Sequence, residues 1–206
     1  MTQKTSGWRA LFSRPQVYRL SQNLLGASRL YRRLVQNHIR TAPESSILDL
    51  GCGHAPILEY LPHNIRYVGI DLSPKYIRAA EEKYGSRGEF HCLAVEDISD
   101  AGLSGFDLVL GVGVLHHLDE HQVRSFFRLA NKALSSSGRC LTVDPCLVVN
   151  QHFVARFLIR LDRGRNIRSP EAYAALAQTV FPRLDQSIIH NGLHVPYTHL
   201  ILESRK

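Results

Sequence analysis

Apolar residues along this chain fall into two rhythms. Short unbroken apolar runs at 46–50, 66–70, 89–93, 106–110 and 139–143 read as buried strands. Between most of them the spacing lengthens to the helical period. Ser73-Pro74 opens a helix carrying Ile77, Ala80 and Tyr84. A second helix carries Val123, Phe126, Phe127, Ala130, Ala133 and Leu134, with Asp119 and Glu120 at its start and Gly138 after its end. Strands alternating with helices predict a parallel sheet covered on both faces. Near the C-terminus, Ser169-Pro170-Glu171 starts a helix with Tyr173, Leu176, Ala177 and Val180 on one face. Two apolar runs follow at 184–190 and 197–203. Their connection is too short for a parallel crossover, so they are expected to pair antiparallel.

The stretch "ILDLGCGHAPILEYL", residues 47–61, reads as a buried strand, a glycine-rich turn and a helix. Turns of this kind usually cradle a phosphate. Here Asp49 stands just before the glycines, where its charge repels an anion. The other strand ends repeat the theme. The second ends in Asp71, twenty residues after Gly51; the third is followed by Val95-Glu96-Asp97, the fourth by Gly111-Val112-Gly113 and the fifth by Asp144-Pro145. Ligands of parallel sheets sit beyond these carboxyl ends, and an acid at the Asp71 spacing typically takes the two hydroxyls of a ribose. An acid-lined edge suits a nucleoside with an amino group and no phosphate.

Composition sets the bounds. The 206 residues suffice for one domain, with 44% hydrophobic and 21% charged residues as in ordinary globular proteins. No apolar run approaches the length of a membrane span. The four cysteines (Cys52, Cys92, Cys140, Cys146) form no CxxC pair and read as reduced thiols, which suggests a cytoplasmic setting; no metal site is expected. Charge divides the chain unevenly. The net charge is +7, but residues 1–43 hold eight basic residues and no acid, leaving −1 for the remainder. Val17, Leu20, Leu24 and Leu25, then Leu30, Tyr31, Leu34, Val35 and Ile39, recur at helical spacing, with Gly26 dividing two segments. Residues 1–43 are therefore expected to be a helical arm packing on a single domain spanning 44–206. The arm lacks the clean apolar stripe of a membrane-surface helix.

Through "ILDLGCG", "YVGIDLSP", "AVEDI" and "FDLVLGVGVLHHL", residues 45–145 resemble the class I S-adenosylmethionine-dependent methyltransferases. The resemblance implies an α/β, Rossmann-like, seven-stranded and mostly parallel sheet, helices on both faces, and a C-terminal antiparallel strand pair. It implies S-adenosylmethionine as cofactor. Gly51, Cys52 and Gly53 would let the backbone approach the methionine part, and Asp49 would orient its ammonium group, directly or through water. Asp71 would accept both ribose hydroxyls, with Leu72 against the adenine, Val95 and Glu96 covering it, and Gly111 at the neighbouring strand end. The sequence departs from the family at Ala55, where a third glycine is common, and at Ala94, where an Asp often accepts from the adenine amino group.

Other readings fit less well. The dinucleotide fingerprint GxGxxG fails at Pro56, which argues against a nicotinamide-dependent oxidoreductase. A non-catalytic cofactor-binding protein stays open. Methyl transfer needs a base only when the acceptor must lose a proton. His116, after the fourth strand, is the candidate, while His117 reads as packing. Tyr18 and Gln22 lie one helical turn apart and are candidates to roof the cofactor. The motif (N/D/S)-P-P-(Y/F) of base N-methylases is absent after the fourth strand. A small-molecule acceptor is thus the first expectation, and RNA, held by the basic arm, is the alternative.

Overall fold

The computed structural model describes residues 26–94, 102–162 and 164–206. Seven strands form one sheet in the order β3-β2-β1-β4-β5-β7-β6. They are β1 (Ser46–Leu50), β2 (Arg66–Asp71), β3 (Glu89–Cys92), β4 (Phe106–Val112), β5 (Leu134–Pro145), β6 (Arg183–His190) and β7 (Thr198–Arg205). Pairings among the first five are parallel, and β7 runs antiparallel to both β5 and β6. All seven expected strands are present. The unbroken apolar runs follow from burial on both faces: Ile47, Leu48, Val68, Val109 and Leu110 are fully covered.

Helices cover both faces. The described ones are α1 (Ala27–Leu34), α2 (Pro74–Tyr84), α3 (Glu120–Ala133), α4 (Phe153–Leu161) and α5 (Pro170–Gln178). Local chemistry sets their starts. Ser73 and Ser169 accept from the backbone N–H groups of Tyr76 and Ala172, and Asp119 forms a reciprocal capping box with Gln122. One core layer joins β4 and β5 to Phe126, Phe127 and Tyr173 of α3 and α5; the other joins the sheet to Leu30 and Leu34 of α1 and to Ile77, Ala80 and Tyr84 of α2. Gly26, at φ +88°, starts α1, and Ile39 in the following π-helical turn is buried. Lys4, Arg9, Val17, Tyr18, Gln22, Leu24 and the rest of the arm before Gly26 lie outside the described residues, as do Val95 and Glu96.

Three local expectations are corrected. The helix expected after the glycine turn is a single 3-10 turn, Pro56–Glu59. Pro62 lacks the N–H a continuing helix would need. Gly138 follows the end of α3 but does not cap it; it lies inside β5, where a Cβ would stand 2.6 Å from the Phe106 carbonyl oxygen. Strand β5 thus begins immediately after α3, with a register irregularity between Phe106 and Leu108. Finally, α4 occupies a stretch to which the apolar periodicity assigns no element.

Strand order reverses between β1 and β4, with β2 and β3 on one side and β5 on the other. The crevice beyond the carboxyl ends of β1 and β4 is the place where such sheets bind ligands.

Candidate functional site

The turn after β1 is built to hold an open loop close to the sheet. Gly51 and Cys52 both donate to the Ile70 carbonyl, at 2.7 and 3.0 Å, which folds the turn onto the end of β2. Gly51 sits at φ +80°, and a Cβ there would lie 2.6 Å from Val114 Cγ2, so this glycine is needed for both conformation and packing. Gly53, at φ +57°, differs: a Cβ there would meet nothing within 4 Å. Its bare backbone faces open space. Ala55 occupies the left-handed region with φ 52° and ψ 47°, so a backbone suited to glycine is retained without one. Cys52 is buried, with its sulfur against Gly69 and its thiol donating to the Gly53 carbonyl at 3.5 Å.

Two carboxylates flank this loop. Asp71, at the end of β2, accepts from Gly53 N–H at 3.0 Å and from Ser73 N–H at 2.8 Å, pinning the glycine turn to the entrance of α2. Burial raises its carboxyl pKa, and the two N–H donors oppose that rise. Each oxygen retains a second lone pair for a ligand hydroxyl. Asp49 is buried under the turn. Its Oδ2 accepts from the Tyr67 hydroxyl at 2.6 Å, while Oδ1 has no hydrogen-bond partner among the described residues. Burial pushes the Asp49 carboxyl up to about 6, with Tyr67 opposing and Asp71 adding to the rise. A cationic donor near Oδ1 would reverse that shift by favouring the charged form. An orphaned buried carboxylate oxygen and an open glycine therefore fit a ligand carrying an ammonium group, as S-adenosylmethionine does. Leu72 is 41% exposed beside Asp71, leaving an apolar surface on which a flat ring can lie.

At Gly111, at the end of β4, a Cβ would lie 2.6 Å from Phe126 Cζ, so its missing side chain makes room for α3.

His116 departs from its expected role as general base. Its ring is buried, with Nδ1 2.8 Å from Asp144 Oδ1 and Nε2 3.4 Å from Asp162 Oδ1. The same Asp144 oxygen accepts from the His116 backbone N–H at 3.1 Å. Asp162 in turn accepts from Gly164 N–H at 2.9 Å and from the Tyr197 hydroxyl at 2.7 Å. Burial by itself would lower the His116 pKa, but the bonds and charges of Asp144 and Asp162 overcome it and raise it to about 9. Asp144 is pulled both ways, upward by burial and downward by the imidazolium; the direct 2.8 Å bond decides for the ion pair. A doubly bonded imidazolium has no free lone pair with which to accept a substrate proton. His116 instead ties the carboxyl ends of β4 and β5 to the segment after α4. The His117 ring lies against it at a tilt of 41°, with ring centroids 4.0 Å apart. Asp162 and Tyr197 are missing from the sequence reading, since nothing in their local pattern points to His116.

This network carries a pH signature. The folded pKa of His116 lies above the unfolded value of 6.5. Its contribution is therefore complete below about pH 6.5 and lost as pH rises through about 9. Folding stability is expected to fall across that window by as much as about 3 kcal/mol, and a His116→Gln variant should flatten the decline. Urea denaturation at intervals from pH 6 to 10 checks this; equal slopes in the two proteins would refute it.

Residues 48–140 match the family described as methyltransferase domain, and the sheet order, glycine turn and acid pair agree with that match. Among proteins similar to it, the cyclopropane-fatty-acyl-phospholipid synthase of Escherichia coli strain K12 is 22% identical over 57% of this chain. The ubiquinone biosynthesis O-methyltransferase of Idiomarina loihiensis is 24% identical over 51%. These matches span only 31% and 44% of those two relatives' lengths. The solved structure of a TehB-like SAM-dependent methyltransferase from Corynebacterium glutamicum superposes with a TM-score of 0.66 at 17% identity, covering 93% of this chain and 97% of that one, and so shares the fold.

Proposed function

We propose that this chain transfers a methyl group from S-adenosylmethionine to a small-molecule acceptor. The observation that carries the reading is Asp49, whose buried Oδ1 lacks a donor at the end of the strand that leads into the open glycine turn. Asp49 would hold the ammonium group, the turn from Gly51 to Gly53 the methionine backbone, and Asp71 the ribose hydroxyls. Leu72 would lie against the adenine, and Val95 and Glu96, outside the described residues, are the sequence candidates to cover it. The bound cofactor supplies a methyl group already activated on a sulfonium. What remains for the chain is to align an acceptor and exclude water. With His116 held as a cation, the reading favours an acceptor that is nucleophilic without losing a proton to that residue.

The small-molecule class draws support from the names of the relatives, which act on fatty-acyl phospholipid and in ubiquinone biosynthesis. RNA held by the basic arm is the second reading, favoured by the eight basic and no acidic residues in 1–43. Among the described residues no helix is long and apolar enough to cross a membrane. Four unpaired cysteines support a cytoplasmic setting.

Titration calorimetry tests the cofactor and mass spectrometry the acceptor. S-adenosylhomocysteine is expected to bind in the micromolar range and NADH not at all. Incubation with metabolite pools and S-adenosylmethionine should yield a product heavier by one methyl group. Heat from NADH with none from the sulfur nucleoside would refute the assignment.

A further inference from the structure

Helix α4 turns its large apolar side chains the wrong way for a globular protein. Val149, just before it, is 89% exposed, and Phe153, Phe157 and Leu161 are 77%, 61% and 47% exposed. The last three follow one another at intervals of four residues and so form a single line along the helix. The opposite side is anchored by Ala155 and Ile159, both buried. Of the six large apolar residues exposed among the described ones, four belong to this stretch, so the exposure is concentrated rather than scattered.

The charge beside this line has one sign. Arg156, Arg160 and Arg165 are exposed, and the helix contains no acid. Asp162, which follows it, faces inward to His116 and Tyr197. The helix is also fixed in place at both ends. Gln151 donates to the Cys146 carbonyl at 3.1 Å, just beyond β5, and Asp162 meets the histidine that follows β4. Its outward face therefore borders the same carboxyl edge of the sheet as the glycine turn.

We propose that the Val149–Leu161 face docks on an anionic lipid bilayer. Phenylalanine and leucine on one side of a helix, with arginines flanking them, match the interfacial pattern in which apolar groups enter the acyl boundary and cations meet lipid phosphates. Charge decides among the occupants. A second copy related by a two-fold axis would bring together two faces that each carry Arg156 and Arg160 and no acid on the helix. The first 25 residues carry Lys4, Arg9, Arg14 and Arg19 with no acid, so they repel this face too. RNA complements the charge, and Phe153 and Phe157 offer bases planes on which to stack, but RNA leaves the aliphatic Val149 and Leu161 uncovered. An anionic bilayer complements both the charge and the aliphatic surface. On the methyl-transfer reading, such docking turns the site toward the membrane and makes the acceptor a lipid-dissolved amphiphile; the docking itself does not depend on that reading.

Sedimentation with vesicles, measured without cofactor, tests the proposal separately from catalysis. The full chain should sediment with vesicles of mixed phosphatidylglycerol and phosphatidylcholine and much less with phosphatidylcholine alone. The triple variant F153Q/F157Q/L161Q, altered only at exposed positions, should keep its melting temperature and lose about tenfold or more in partitioning. The variant R156E/R160E keeps the apolar line and should lose the preference for anionic vesicles, which guards against misfolding of the first. Absence of wild-type sedimentation, or equal sedimentation by the triple variant, overturns the proposal. So does either of two alternatives: a dimer in ultracentrifugation that the triple variant dissociates without vesicle binding, or RNA binding that the triple variant abolishes while vesicles go unbound.

Discussion

Asp144→Ala is expected to cost about 3–5 kcal/mol of folding stability, because it removes one partner of a buried ion pair and leaves the other charged. The loss is specific to this side chain. Asp144 Oδ1 accepts both from the His116 ring and from the His116 backbone N–H, so the substitution strips two bonds from one buried residue. His116 would then rely on Asp162 alone, at 3.4 Å. Chemical denaturation at pH 7 measures the loss directly. Above about pH 9, where wild-type His116 is itself neutral, the gap between the two proteins should narrow. A gap that is small at pH 7, or constant across that range, would show that no buried ion pair exists.

The other large effect is on binding. Asp71→Ala should weaken S-adenosylhomocysteine by about a hundredfold or more, since two charge-assisted hydrogen bonds to a ribose contribute about 1.5–3 kcal/mol each. Geometry adds a second route to the same loss. The carboxylate also holds Gly53 N–H and Ser73 N–H, so its removal loosens the turn that carries the ligand. A modest fall in melting temperature should therefore accompany the binding defect. Asp71→Asn, retaining one carbonyl acceptor, should fall between the two. Calorimetry decides, and normal affinity in the alanine variant would reduce Asp71 to a tether between turn and helix.

How much of this was legible in the sequence depends on where each residue's partner lies. The strands were, because burial on both faces leaves a run such as Leu108-Val109-Leu110 no room for polar residues. Helices α2, α3 and α5 announced themselves through Ser73, Asp119 and Ser169, whose caps reach only three residues along the chain. The turn and its acids were legible because Asp49, Gly51 and Asp71 act at strand ends. His116 was not. Its ring partners stand at 144 and 162, and no local pattern foretells that two carboxylates will neutralise its candidacy as a base. Helix α4 escaped for the opposite reason: "FVARFLIRL" places apolar residues on both its buried and its exposed sides, which blurs the periodicity that a half-buried helix presents.

The position of β7 has a kinetic consequence. It is last among the strands in chain order, yet it lies between β5 and β6 and pairs with both. Until it inserts, β5 presents its outer row of N–H and C=O groups unpaired, from Arg139 to Pro145, with Leu141 and Val143 among them. An unpaired edge of that kind is a template for another chain's strand, and its closure waits on a contact spanning some sixty residues. Folding of this molecule therefore passes through a half-closed sheet whose hazard is intermolecular strand capture, and refolding yield should be governed by protein concentration more than by helix formation.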